Sequence, residues 1–244
     1  MWTPGEAVST LRRAVVSAAS RTALLGVPVF LAERALWEVA HPASRAPPGR
    51  ADLLARLRRD GVVVVPGHLP RARCEALRAE VDRVLADEAP RVHRRGDARV
   101  YGAERASAAI RALHDDAPLL APARAYRGAS VVNGLTLAAA LAHTPGRRSS
   151  SGPGWHRDHW FRQMKAFLYL TDVTAAQGPL QVVAGSHRAR VRARDMRRYG
   201  QRFKQYAFDD AEVDRLLAAE PERLVTATGP AGTLVLADTS AIHR

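Results

Sequence analysis

The chain has one cysteine, almost no lysine and no long apolar run, and each scarcity narrows what it can be. With Cys74 alone in 244 residues, an intrachain disulfide is impossible, which suits a reducing cytosol. Cys74 falls on a predicted helix near Leu69, Leu77 and Val81 and reads as a small buried apolar residue. Of 37 basic residues only Lys165 and Lys204 are lysines, so the net charge of +13 is carried by arginine. Such an excess can mark a nucleic-acid or membrane-surface partner. Here the arginines are scattered over helix faces, loops and the C-terminal half, not gathered in one stripe interleaved with aromatics. No nucleic-acid partner is expected, and the charge coats the surface. The apolar N-terminal stretch within Thr22 to Ala40 is broken by Glu33 and Arg34, short of the about 20 residues a membrane span needs. No small-residue cleavage signature follows a leader, so neither stable membrane insertion nor secretion is expected, and a cytoplasmic location is. The GxSxG elbow of serine hydrolases, the P-loop and the dinucleotide fingerprint are all missing.

What is present is enough apolar residue, 47%, for one large domain with a real core. Residues 1–49 read as a helical appendage and linker: a helix over Thr22 to Ala40 bent by Pro28, then His41 to Arg50. Residues 50–244 read as the main domain. Its first half is helical over Ala51 to Arg59, Pro70 to Asp87, Glu104 to Leu113 and Pro118 to Tyr126, with one buried strand, Val62 to Val65, bounded by Gly61 and Pro66. Ala129 to Val132 and Leu135 to Ala142 read as strands around Asn133-Gly134, either a hairpin or a bulge. After the loop Gly146 to Gly154 come short strands: one through His156 and Asp158, then Met164 to Leu170, Leu180 to Val183, Leu224 to Thr228 and Thr233 to Leu236. Arg188 to Tyr206 reads as basic and irregular, and Asp209 to Ala219 as a helix with an acidic start. The fold class is α+β, with helices supporting one sheet of a β-sandwich or jelly roll.

The chemistry centres on Trp155-His156-Arg157-Asp158. Side chains alternate along a strand, so an imidazole and a carboxylate two residues apart share a face. They are two ready ligands for a divalent metal, and His243, which follows another apolar strand, is the best candidate for a third. Two histidines and one carboxylate on one side of an ion form the facial triad of non-haem iron oxygenases. An HxD tripeptide alone is weak, because two polar residues on a strand can simply face water.

The order of motifs makes the reading specific. Gly154-Trp155-His156-x-Asp158 is followed by Ala166-Phe167-Leu168-Tyr169-Leu170-Thr171-Asp172-Val173, then Gly178-Pro179-Leu180, then Ala184-Gly185-Ser186-His187-Arg188, then Asp238-Thr239-Ser240-Ala241-Ile242-His243-Arg244. Together with Asp60-Gly61-Val62-Val63-Val64, these resemble the phytanoyl-CoA dioxygenase family over roughly residues 50 to 244. The resemblance implies a double-stranded β-helix, a cupin-like jelly roll, that binds Fe(II) through His156, Asp158 and His243. It implies 2-oxoglutarate and O2 as cosubstrates, with decarboxylation to succinate coupled to hydroxylation of a small organic substrate, acyl-CoA and natural-product-like molecules being within the family's range. Related halogenases have a small residue in place of the carboxylate; Asp158 favours hydroxylation. Tyr169 and Asn133 are candidate cosubstrate contacts, with core packing or turn formation as the plainer alternative for each. His159 is expected off the metal face, His187 in a structural hydrogen bond, and Asp238 as an orienting group for the His243 segment.

The family places an arginine about ten residues beyond the distal histidine, for the far carboxylate of 2-oxoglutarate. This sequence stops at Arg244, so the expectation is a C-terminally truncated domain lacking its closing strand. A non-catalytic jelly-roll module or inactive remnant is the competing expectation.

Overall fold

The computed structural model describes residues 14–15, 17, 23–42, 49–87, 93–94, 97–128, 134–141 and 154–244. Val62–Val65 (β1), Leu234–Asp238 (β8) and Met164–Leu168 (β5) form an antiparallel sheet with β8 in the middle. Leu180–Val183 (β6) pairs with Leu224–Ala227 (β7) in a second antiparallel sheet. β8 is buried along its whole length, as a central strand covered on both faces must be. Its alternation divides the core. Val235 and Ala237 join Val62, Val182 and Ala227, with Phe167, Tyr169 and Leu180 packed alongside, between the two sheets. Leu234 and Leu236 point the other way, onto Leu54 and Leu57 of helix α2 (Ala51–Asp60) and Tyr126 of helix α5 (Ala117–Arg127). The result is the expected α+β arrangement, with two antiparallel sheets and helices packed on the first.

The remaining helices brace this frame. α3 (Arg71–Asp87) buries Val84 and Leu85 against Val100 and Ala138 of a small sheet, His93–Arg94 (β2), Ala98–Tyr101 (β3) and Leu137–Ala140 (β4). Cys74 of α3 is buried, as expected of a small apolar residue. The helix expected over Glu104 to Leu113 is two pieces: a 3-10 turn, Ala103–Arg105, and α4, Ala108–His114. Ser107 causes the break, since its hydroxyl accepts from Ile110 N and caps α4. α1 (Ala23–Ala40) continues through Pro28 and seats Val27 and Phe30 among Ala193, Met196 and Phe203.

Three expectations need correction. The stretch Arg188 to Tyr206 is not irregular: Ala189–Tyr199 forms helix α6. Its inner face carries Arg192 and Asp195 beside Ala193 and Met196, so the apolar periodicity that announces a helix is hidden by buried charges. Both are hydrogen-bonded: Arg192 donates to Phe203 O at 2.6 Å, and Asp195 accepts from Arg223 at 2.8 Å. Second, no continuous strand carries His156 and Asp158; His156 makes isolated bridges to Ala207 and His243. Third, the strand from Met164 ends at Leu168, two residues early. The strand expected at Ala129 to Val132, and Asn133 itself, lie outside the described residues, as does most of the Gly146 to Gly154 loop. α7 (Asp210–Ala219) is capped by Asp209, with Glu212 returning the bond in a capping box.

Candidate metal centre

His156, Asp158 and His243 converge: one donor atom from each lies within 4.8 Å of the others. The backbone makes the meeting. His156 N donates to His243 O at 2.8 Å and His243 N donates to His156 O at 2.9 Å, so the two histidines form one antiparallel pair with rings 4.2 Å apart. Asp158 N donates to Thr239 O, and Arg157 N to Tyr206 O. His243 also bridges Val182 of β6. The distal segment is thus sandwiched between β6 and the His156 segment. Alternation still operates without a full strand. Trp155 turns into the core with Val183 and Ile242, and the Arg244 guanidinium stacks over its ring at 4.4 Å.

Each imidazole is held in the tautomer a metal needs. Nδ1 of His156 lies 2.8 Å from Gly154 O, and Nδ1 of His243 lies 3.0 Å from Ala241 O. A carbonyl can only accept, so each Nδ1 is the protonated nitrogen and each Nε2 presents a lone pair. Those Nε2 atoms face Asp158: 3.7 Å from His156 to Oδ1 and 4.0 Å from His243 to Oδ2. Two donors bound at about 2.1 Å to one ion stand no more than about 4.2 Å apart, so both separations suit a shared cation. Burial pushes the His243 pKa down to about 4, helped by the charges of His156 and Lys165; at neutral pH the ring is an uncharged ligand. Burial alone would raise the Asp158 carboxyl. Hydrogen bonds from Lys165 and Thr239, with the Lys165 charge, outweigh it and hold the group below its ordinary value. Lys165 Nζ lies 2.6 Å from Asp158 Oδ2.

A further set of groups holds the ligand segments. Asp238, 1% exposed, accepts from Tyr126 OH at 2.6 Å, Ser240 Oγ at 2.6 Å, Ser240 N at 2.9 Å and Gln163 N at 3.2 Å, which shapes the turn leading to His243, the orienting role expected of it. Arg157, fully buried, donates through Nη1 to Ser186 O at 2.6 Å and Ser240 O at 2.7 Å. Ser186 Oγ accepts from Ile242 N and donates to Val183 O. His187 sits 3.1 Å from Arg58 O through Nε2, the structural bond expected of it. His159 stays off the centre and packs on Phe161 at 3.5 Å. The Tyr169 hydroxyl donates to Ala227 O at 2.9 Å while its ring packs between the sheets. Sequence reasoning passed over Arg157 and the Lys165 contact. Lys165 shares a strand face with Phe167 and Tyr169, a signal that could have placed it at the open end of the inter-sheet space.

The profile of the phytanoyl-CoA dioxygenase (PhyH) family matches residues 57–244. The chain belongs to the phytanoyl-CoA dioxygenase family. With that membership goes the enzyme class the motifs implied, a 2-oxoglutarate-dependent dioxygenase, an oxidoreductase. Among relatives of this family member, the ectoine dioxygenase of Bordetella parapertussis is 28% identical over 216 residues, spanning 79% of this chain and 68% of that protein. The crystal structure of EctD from S. alaskensis with 2-oxoglutarate and 5-hydroxyectoine has a TM-score of 0.59 at 22% identity, covering 82% of this chain and 72% of the other. The epimerase SnoN, crystallised with Fe3+, alpha ketoglutarate and nogalamycin RO, has a TM-score of 0.52 at 21% identity over 79% and 75% of the two chains. Among the described residues no helix is long and apolar enough to cross a membrane.

Proposed function

We propose that the protein is an iron(II) enzyme in which His156, Asp158 and His243 hold the metal and a small organic substrate is hydroxylated at the expense of 2-oxoglutarate and O2. The two facing sheets are, in this reading, the core of a double-stranded β-helix, the fold the family resemblance implies. The observation that carries it is the paired histidines, each with Nδ1 committed to a backbone carbonyl and Nε2 turned toward one carboxylate. A donor set of two imidazoles and one carboxylate suits Fe(II) and leaves positions for other ligands. When bound, the iron supplies the oxidative chemistry; the chain binds, orients and shields. Asp158 supplies the third protein ligand, which favours hydroxylation over halogenation.

Under anaerobic conditions, Fe(II) and 2-oxoglutarate together are expected to give a weak visible charge-transfer band, and exposure to O2 to release succinate. The variants His156→Ala and Asp158→Ala are expected to bind iron at least about 100-fold more weakly, beyond the 10- to 100-fold typical of residues that only support a ligand. Stoichiometric iron retained by both would move the metal elsewhere.

A further inference from the structure

One of the chain's two lysines stands at the metal centre. Lys165 lies on β5 opposite Ala237, two residues before Phe167 on the face that looks into the space between the sheets. Its side chain is 45% exposed and its Nζ lies 2.6 Å from Asp158 Oδ2. The same ammonium acts on His243 across the centre. Carboxylate ligands commonly have a polar partner of their own beyond the metal. Here that partner is an ion-paired ammonium with a full positive charge.

The charge count then decides what the centre favours. Asp158 and Lys165 cancel, and an imidazole that binds a metal does so as a neutral ligand. A divalent ion therefore brings the cluster to two net positive charges. Without the lysine it would carry one. A nearby ammonium repels the bare ion and rewards an arriving dianion.

We infer that Lys165 is a positioning residue that holds Asp158 through one oxygen and couples iron binding to 2-oxoglutarate binding, so that the dicarboxylate and the metal each strengthen the other's affinity. This rests on the oxygenase reading above and deepens it. The metal alone binds weakly because the lysine opposes it. The dicarboxylate restores the balance by matching two charges with two. Coupling between two ligands is reciprocal, so the factor can be read from either side.

The test is anaerobic titration of the full chain with Fe(II), with and without saturating 2-oxoglutarate, on wild type, Lys165→Met and Lys165→Arg. Wild type is expected to bind iron tighter when 2-oxoglutarate is present. Lys165→Met is expected to bind iron alone about tenfold tighter than wild type and to lose about tenfold of the coupling, a change of about 1.4 kcal/mol. Lys165→Arg, which keeps the charge, is expected to retain the wild-type coupling. The side chain's exposure means that its loss opens no cavity; thermal melting checks each fold, and Lys165→Gln stands in should the Met variant melt early. A merely structural lysine would leave the coupling factor unmoved. Iron affinity in Lys165→Met equal to or weaker than wild type, or full coupling in that variant, overturns the inference while a charge-transfer band in wild type leaves the oxygenase reading intact. Absence of the band in wild type overturns both.

Discussion

The two segments that bring the proposed ligands to the candidate metal centre arrive by opposite routes. The distal one runs straight out of β8, and every residue from Gly232 to His243 is buried. It inherits its position from a strand with neighbours on both sides. The central one, Gly154 to Asp158, belongs to no strand and is held by one backbone bond each to Tyr206, Phe208 and Thr239 and a reciprocal pair to His243. Its fixity comes from the residues that face away from the metal: Trp155 in the core and Arg157 bonded to two carbonyls. In one segment the backbone ladder places the ligand; in the other, the side chains between the ligands do. Breaking each should therefore fail in a different way.

Asp238→Ala attacks the ladder-borne segment and has the largest expected effect on stability. It strips a buried acceptor from Tyr126 OH, Ser240 and Gln163 N. Orphaned buried donors cost about 1–3 kcal/mol each, so a loss of about 4 kcal/mol and a fall in Tm of about 10 °C are expected by calorimetry. Arg157→Met attacks the other segment. It exchanges a buried charge for an apolar chain of similar length, which offsets part of the penalty for the orphaned Ser186 and Ser240 carbonyls. Its Tm should fall by less than half as much, while iron affinity drops about 10- to 100-fold, as for groups that orient ligands. Equal melting shifts with unchanged iron affinity would erase the distinction between the two segments.

The smallest effect concerns the corner beneath both. Burial lowers the His187 pKa below 6.5, so the folded ring stays neutral where the unfolded one takes a proton. A depressed histidine binds fewer protons in the fold, and stability is lost as pH falls below about 6.5. His243 and His159, also lowered, add to the same slope. His187→Gln should flatten the pH dependence of stability between about pH 6.5 and 5 by up to about 1.4 kcal/mol per pH unit, measured by denaturant unfolding. An unchanged slope would show that His187 does not titrate with folding.

Much of this was legible in the chain. The apolar runs of β1 and β6 are local patterns found where expected, β8 runs two residues past its expected end, and His156 and Asp158 come together without the strand expected to carry them. The bridge between His156 and His243 joins residues far apart in sequence and could be reached only through the motif order. α6 escaped because Arg192 and Asp195 occupy its inner face, and polar residues are read as solvated unless their partners are known. Arg157 escaped for the same reason: the residue between two ligands looks like a spacer until the carbonyls of Ser186 and Ser240 are seen around it. Tyr126, the partner of Asp238, sits on α5 with no local mark of its role.

The reciprocal bonds between His156 and His243 mean that neither imidazole is in place until both chain segments have met. A chain whose two segments have yet to pair presents only His156 and Asp158, two of the three donors, and has little hold on a divalent ion. In the proposed metal centre, a competent chelate therefore forms only when this antiparallel pair closes.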